Sequence, residues 1–147
     1  MGARYALLWS GGKDSALALD RAAKSGIEVG SLLNFYDAAA GRVRFHATRV
    51  EMIQAQADAI GIELRAIGTT WAEMEGRLLE ELGRLRREGF AGVVLGDIHL
   101  VDVRAWYEGR VTAAGLSTSS RSGADSRWNW SASSWRPAAA PSSLAWI

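Results

Sequence analysis

Short apolar runs alternate with longer segments of helical periodicity along this chain, and the alternation limits the possible folds more than any other feature. The apolar runs are residues 4–9, 27–34, 62–67 and 93–95. The helical patterns cover residues 15–25, 46–60, 73–88 and 102–114, and a glycine ends each of them: Gly26, Gly61, Gly89 and Gly115. Parallel strands need a crossover of this length, and it is usually a helix. The sequence therefore predicts an α/β fold, with a parallel sheet covered by helices on both faces.

The connection between the first strand and the first helix is the segment Ser10-Gly11-Gly12-Lys13-Asp14-Ser15. A tight glycine turn that leads into a helix presents backbone N–H groups and a partial positive charge, which together favour a phosphate group. Adjacent glycines let the backbone approach an anion closely. Lys13 adds a mobile positive charge, and Ser10 and Ser15 add hydroxyl donors. We expect all six residues to contribute to a phosphate-binding site.

The same segment differs from the common P-loop, in which four residues separate the first glycine from a Gly-Lys pair that is followed by Ser or Thr. Here an aspartate follows the lysine. Asp14 would repel bare phosphate, so we expect Mg²⁺ to accompany the ligand, with Asp14 as its candidate ligand. The alternative is an ordinary turn in which Asp14 or Ser15 caps the helix.

Two more polar sites follow predicted strands, Asn34 after the second and Gly96-Asp97 after the fourth. In open α/β sheets, ligands bind beyond the carboxyl ends of the strands, where the strand order reverses. We therefore expect Asn34, Gly96 and Asp97 to lie near Ser10 at one edge of the sheet.

Composition narrows the class of protein further. The chain has 147 residues, 48% of them hydrophobic, and a net charge of +1, which predicts one globular domain and no nucleic-acid partner. It has no cysteine and two histidines, so neither a disulfide framework nor a thiolate metal site is expected. No segment is apolar over 18 residues, so we expect a cytoplasmic protein without a membrane span. Arginines 84, 86 and 87 are expected on a solvated helix face, offset by Glu80, Glu81 and Glu88.

The composition changes abruptly after Leu116. Residues 117–147 contain ten of the 14 serines, four of the seven tryptophans and both prolines. The domain is therefore predicted to span residues 1–116, and the remainder to be an aberrant Ser/Trp-rich tail, disordered or out of frame. A shifted reading frame through residues 117–124 allows His-Val-Phe-Pro-Leu-Trp-Gly, which is more typical of a folded protein.

Ser10 to Ser15 resembles the PP-loop of the N-type ATP pyrophosphatases. Three further blocks resemble the diphthine–ammonia ligase family, also called DUF71: residues 9–19, residues 43–62 with Val43-Arg44-Phe45-His46, and residues 89–104 with Gly96-Asp97. The family continues with Phe-Pro-Leu-Trp-Gly, as the shifted frame does. The resemblance covers residues 4–116, about half of a family member, and it implies a Rossmann-like (HUP/PP-loop type) sheet that is incomplete at its C-terminus.

The resemblance also implies a reaction in which ATP, ammonia and a carboxylate give an amide, AMP and pyrophosphate through an acyl-adenylate. It implies ATP and Mg²⁺ as cofactors and a modified protein side chain or small metabolite as the carboxylate. Lys13, Asp14, His46 and Asp97 are the candidate catalytic residues, and Ser10–Ser15, Asn34 and Gly96 are the candidate nucleotide-binding residues. The alternatives are a truncated ATP-binding domain without turnover and another PP-loop enzyme, such as one that modifies tRNA.

Overall fold

The computed structural model describes residues 3–43, 48–96 and 101–120. The strands within this part are β1 (Arg4–Leu8), β2 (Glu28–Asp37), β3 (Arg42–Val43), β4 (Glu63–Thr69), β5 (Gly92–Gly96) and β6 (Ser117–Ser120). The helices are α1 (Lys13–Lys24), α2 (Val50–Ile60), α3 (Met74–Arg87) and α4 (Val101–Ala113).

The sheet is parallel apart from one short strand. Leu32 of β2 pairs with Leu7 of β1 and with Leu64 of β4, so these two strands flank β2 on opposite sides. β1 also pairs with β5, and β5 with β6, all in parallel. The order of the parallel strands is therefore β4-β2-β1-β5-β6, and β3 adds an antiparallel pair to the end of β2. The strand order reverses between β1 and β5, which places the expected ligand site beyond their carboxyl ends.

Both faces of the sheet are covered by helices, as the sequence predicted. Alternate residues of each strand point to opposite faces, so Ala6 and Leu7 of β1 enter two different apolar clusters. One cluster takes its helical residues from α1 and α2: Ala18, Ile53 and Ala57. The other takes them from α3 and α4: Met74, Leu78, Leu82, Leu85 and Val111. The chain thus forms a doubly wound Rossmann-like domain.

Several helices and strands begin or end at other residues than the sequence predicted. β2 runs on to Asp37, so Asn34 lies inside the strand rather than after it, because β3 and β4 give its last residues backbone partners. The second helix begins at Val50, not at residue 46. A sixth strand follows the predicted boundary at Leu116: Ser117–Ser120 pairs with β5 through backbone groups that need no apolar side chains. The rest of the predicted tail, residues 121–147, lies outside the described residues.

The predicted solvated face of α3 needs one correction. Arg84, Arg86 and Arg87 are exposed as expected, but Glu81 is buried. Its carboxylate accepts a hydrogen bond from Arg65 of β4 at 2.9 Å. Because an arginine from the neighbouring strand neutralises it, Glu81 lies between the helix and the sheet instead of facing water.

Candidate functional site

The loop after β1 turns sharply at two glycines. Gly11 has a φ of 83°, in the left-handed region that favours glycine. Gly12 is the N-cap residue of α1, in extended conformation, and no side chain caps the helix. The alternative in which Asp14 or Ser15 caps α1 is therefore wrong, since both residues lie within its first turn. A helix start without a side-chain cap keeps its first N–H groups available to a ligand.

Two serine hydroxyls fasten the loop to the start of α1. Ser10 Oγ and Ser15 Oγ lie 3.0 Å apart, and Ser15 Oγ also donates to the carbonyl of Gly12 at 3.1 Å. The backbone N–H of Ser10 donates to Ser15 Oγ at 3.3 Å. Ser15 is buried and Ser10 is half-buried. The two hydroxyls thus hold the turn closed, and Ser10 is the more accessible of them to a ligand.

The outer side of the loop lies against α2. A Cβ on Gly11 would stand 2.5 Å from Ile53 Cδ1 and 2.8 Å from Gln56 Oε1, so any other residue would be strained by the positive φ and would displace both side chains. Gln56 accepts a hydrogen bond from the indole N–H of Trp9 at 3.0 Å and donates one to the carbonyl of Gly11 at 3.3 Å. The sequence patterns attached no role to Trp9 or Gln56. Only the position of Gln56 within the block of residues 43–62 pointed to it.

Asn34 and Gly96 both lie beside the loop that follows β1, as predicted, although Asn34 is inside β2 and not at its end. Asn34 donates its side-chain amide to the carbonyl of Trp9 at 2.7 Å, and its own Oδ1 is buried without a hydrogen-bond partner in the described structure. Gly96 has a φ of 69°, and a Cβ there would lie 3.5 Å from Ala18 Cβ and 3.9 Å from the carbonyl of Asp14. The ends of β1 and β5 and the middle of β2 therefore converge around the loop. His46 and Asp97, the other predicted site residues, lie outside the described residues.

The charged residues of the loop differ in exposure. Lys13 is exposed and Asp14 is half-buried. Within residues 3–43, 48–96 and 101–120, no three Asp, Glu, His or Cys side chains cluster closely enough to hold a metal ion by themselves. Mg²⁺ in nucleotide sites is commonly bound by one or two carboxylates together with the phosphates of the substrate. A single carboxylate at Asp14 fits that kind of site.

A cavity of about 620 Å³ opens beside the loop. Ser10 and Asn34 lie on its wall together with an aromatic and acidic set from other elements: Trp9, Phe35, Trp71, Glu75, Asp102, Trp106 and Tyr107. Trp106 and Tyr107 pack edge to face with ring centroids 5.0 Å apart, and burial raises the pKa of the Tyr107 hydroxyl above its usual value. The volume suits a small-molecule ligand, and the aromatic walls suit a planar group.

The doubly wound sheet, its reversal of strand order beside a Ser-Gly-Gly-Lys-Asp-Ser loop, and the adjoining cavity define a PP-loop nucleotide-binding domain. Residues 3–118 match the family model of the diphthamide synthase N-terminal domain, and the chain belongs to that family. This membership places it in the PP-loop class of ATP-utilising proteins. A comparison with curated proteins finds no match. None of the helices in the described part of the chain is long and apolar enough to cross a membrane.

Proposed function

We propose that this chain provides the ATP site of an amide ligase that activates a carboxylate as an acyl-adenylate and transfers it to ammonia. The observation that carries the proposal is the loop at Gly11. Its two glycines have no side chains, and Gly11 has a positive φ. The loop leads directly into helix α1, whose start has no side-chain cap and lies beside the end of β5. Backbone N–H groups in this arrangement bind the terminal phosphates of a nucleotide.

Each residue of the loop has its own role in binding pyrophosphate. Gly11 and Gly12 let the phosphates approach the backbone, Ser10 offers a hydroxyl, and the exposed Lys13 supplies a mobile charge. Asp14 is the residue that would hold Mg²⁺, which would neutralise charge on the phosphates. A contact at a helix end contributes only about 0.3–1 kcal/mol when exposed, so several such contacts have to act together.

The cavity beside Ser10 provides room for the remainder of the nucleotide and for the carboxylate. Trp71, which is 65% exposed, offers an aromatic ring on which a planar base can stack, and the unpartnered Oδ1 of Asn34 is an acceptor for a ligand N–H or O–H. Glu75 and Asp102 add negative charge to the lining of the cavity. These residues support binding of adenosine and acceptor side by side, with the α-phosphate between them.

The proposed reaction has two displacements. A carboxylate oxygen attacks the α-phosphorus, the bond to the β-phosphate oxygen breaks, and pyrophosphate leaves. Ammonia then attacks the acyl carbon, AMP leaves with the bonding electron pair, and the nitrogen loses a proton. Both steps depend mainly on alignment and on stabilising the departing phosphates, for which the loop is suited. The catalytic roles of Lys13, Asp14, His46 and Asp97 stay predictions.

Exchange of labelled pyrophosphate into ATP tests the first displacement directly. The assay would contain the full chain, Mg²⁺, ATP and a panel of carboxylates, each with and without ammonium. We expect exchange that depends on the carboxylate, and net AMP release when ammonium is added. Net AMP release that does not rise when ammonium is added would contradict the choice of ammonia as nucleophile.

Binding is measured separately, because the alternative is a domain that holds ATP without turnover. ATP binding by calorimetry without exchange for any carboxylate would favour that alternative. Failure to bind ATP or pyrophosphate at all would overturn the proposed nucleotide site.

A further inference from the structure

Gln56 connects helix α2 to Trp9, which directly precedes the loop, and to Gly11 within the loop. Its Oε1 accepts the indole N–H of Trp9 at 3.0 Å, and its Nε2 donates to the carbonyl of Gly11 at 3.3 Å. The two partners lie 47 and 45 residues earlier in the chain. Gln56 therefore lies outside the Ser-Gly-Gly-Lys-Asp-Ser motif and makes long-range contacts with the loop from helix α2.

The chemistry of the two partners fixes the orientation of the amide. The indole N–H of Trp9 can only donate, and the carbonyl of Gly11 can only accept. With Oε1 held by Trp9, Nε2 has to face Gly11. Trp9 is buried, which keeps the indole in place.

Helix α2 provides a rigid base for this contact. Ile53, one turn before Gln56, and Ala57 are fully buried in the apolar cluster on that face of the sheet. Gln56 itself is half-buried, and Ile53 and Gln56 together fill the space behind Gly11. The packing of α2 therefore fixes the backbone from which Gln56 reaches the loop.

The bond to Gly11 determines which way one peptide group points. In a trans peptide, the carbonyl and the following N–H point in opposite directions. Because Gln56 draws the carbonyl of Gly11 toward α2, the N–H of Gly12 is turned away from α2, and it donates a hydrogen bond to Ser10 Oγ at 3.4 Å. A carbonyl turned the other way would place negative charge where the loop has to attract a phosphate.

We propose that Gln56 is a positioning residue for the phosphate loop: it holds the Gly11 carbonyl against α2, so that the Gly12 N–H lies on the side of the Ser10 hydroxyl, where the terminal phosphates of the nucleotide would bind and replace that hydroxyl as its acceptor. The inference rests on the proposed ATP site and adds to it a residue outside the motif. It predicts that Gln56 matters for ligands with a pyrophosphate group and not for the rest of the nucleotide.

The test compares ligands with and without pyrophosphate on the full chain. Gln56→Met keeps the length of the side chain and removes both hydrogen bonds. We expect affinity for ATP and for inorganic pyrophosphate to fall about tenfold, as loss of the hydrogen bond that orients the Gly11 peptide implies. Affinity for AMP, which lacks the pyrophosphate, should stay within twofold of wild type. Isothermal titration calorimetry would measure all three.

Gln54→Met is the matched control on the same helix. Gln54 is exposed and donates to Asp58 at 2.9 Å within α2, so its substitution should leave all three affinities unchanged. If Gln56→Met fails to fold by circular dichroism, Gln56→Glu replaces it. That variant keeps an acceptor for Trp9 and loses the donor to Gly11, and it should also weaken ATP and pyrophosphate selectively.

The outcomes separate this inference from the proposed function. If wild type binds ATP and the folded Gln56 variant binds it with the same affinity, the role of Gln56 is overturned while the nucleotide site stands. An equal fall for ATP and AMP would show a general structural role and would also overturn it. Wild type that binds neither ATP nor pyrophosphate would overturn the nucleotide site and this inference together.

Discussion

The side-chain amide of Asn34 donates a hydrogen bond to the backbone carbonyl of Trp9 at 2.7 Å, across 25 residues of sequence. Trp9 is the last residue before the loop, and its own N–H donates to the carbonyl of Leu33 at 2.7 Å. β2 therefore satisfies both backbone groups of Trp9 and fixes the direction in which the chain leaves β1. The position of the loop depends on a residue in the neighbouring strand.

Asn34→Ala should destabilise the domain by about 1–3 kcal/mol, because it leaves the carbonyl of Trp9 buried without a donor. Urea denaturation at neutral pH measures this change. Ser31→Ala on the same strand is the control: Ser31 is fully buried, and its hydroxyl has no hydrogen-bond partner in the described structure. Removing it should be neutral or stabilising, so equal losses for the two variants would contradict the role given to Asn34.

Gly11→Ala tests the loop itself. The substitution forces a side chain into a positive φ, at a cost of about 1–2 kcal/mol, and also drives a Cβ into Ile53 and Gln56. Gly26→Ala has a nearly identical φ of 78° and open space around the Cβ, so it reports the backbone cost alone. We expect Gly11→Ala to lose more stability in thermal melts than Gly26→Ala, and to lose ATP binding as well. Equal effects would mean that α2 does not pack on the loop as described.

Lys13→Ala should abolish most of the rise in melting temperature that ATP produces in wild type. Lys13 is exposed, so the substitution should leave the stability of the protein without ligand almost unchanged. Lys24→Ala provides the control, because Lys24 lies in the last turn of the same helix and pairs with Asp20 at the surface. An ATP-induced shift as large in Lys13→Ala as in Lys24→Ala would remove Lys13 from the site.

Arg65 of β4 forms an ion-pair cluster with Glu81 of α3 and with Glu88, which directly follows α3. We expect this cluster to make part of the free energy of unfolding depend on acidic pH. A hydrogen bond from Arg65, 2.7 Å from the carboxylate of Glu88, lowers the pKa of that carboxyl below its usual value of about 4.5. A lowered folded-state pKa contributes stability that is present above the unfolded pKa and is lost as the pH falls through the folded pKa. Glu88→Gln should be less stable than wild type at pH 7, and denaturant titrations should show the difference shrinking as the pH falls below about 4.5.

Glu81 in the same cluster should behave differently, because it is buried rather than half exposed. Glu81→Ala would leave Arg65 partly buried with one carboxylate fewer, which we expect to cost about 3 kcal/mol at neutral pH. A loss at pH 7 as small as that of the surface pair variant Asp20→Ala would contradict this account of the cluster.

The order and type of most strands and helices can be predicted from patterns of neighbouring residues in the sequence. The apolar runs and the glycines that end the helices predict the parallel strands up to β5 and all four helices, because each depends on neighbours within one element. The Ser10–Ser15 motif likewise predicts a phosphate loop, since its glycines, lysine and serines act through adjacent backbone groups. The end of β2 and the strand β6 were missed because backbone pairing with distant strands creates them, and their own side chains give little signal.

Sequence alone thus determined an α/β domain with a nucleotide loop after its first strand. The tertiary structure decided what surrounds that loop. Gln56 contacts Gly11, Asn34 contacts Trp9, and Arg65 neutralises Glu81, each across 16 to 45 residues. No periodicity within a helix or strand encodes such pairs. They exist because packing two helical layers on a sheet buries polar groups that then require partners from other elements.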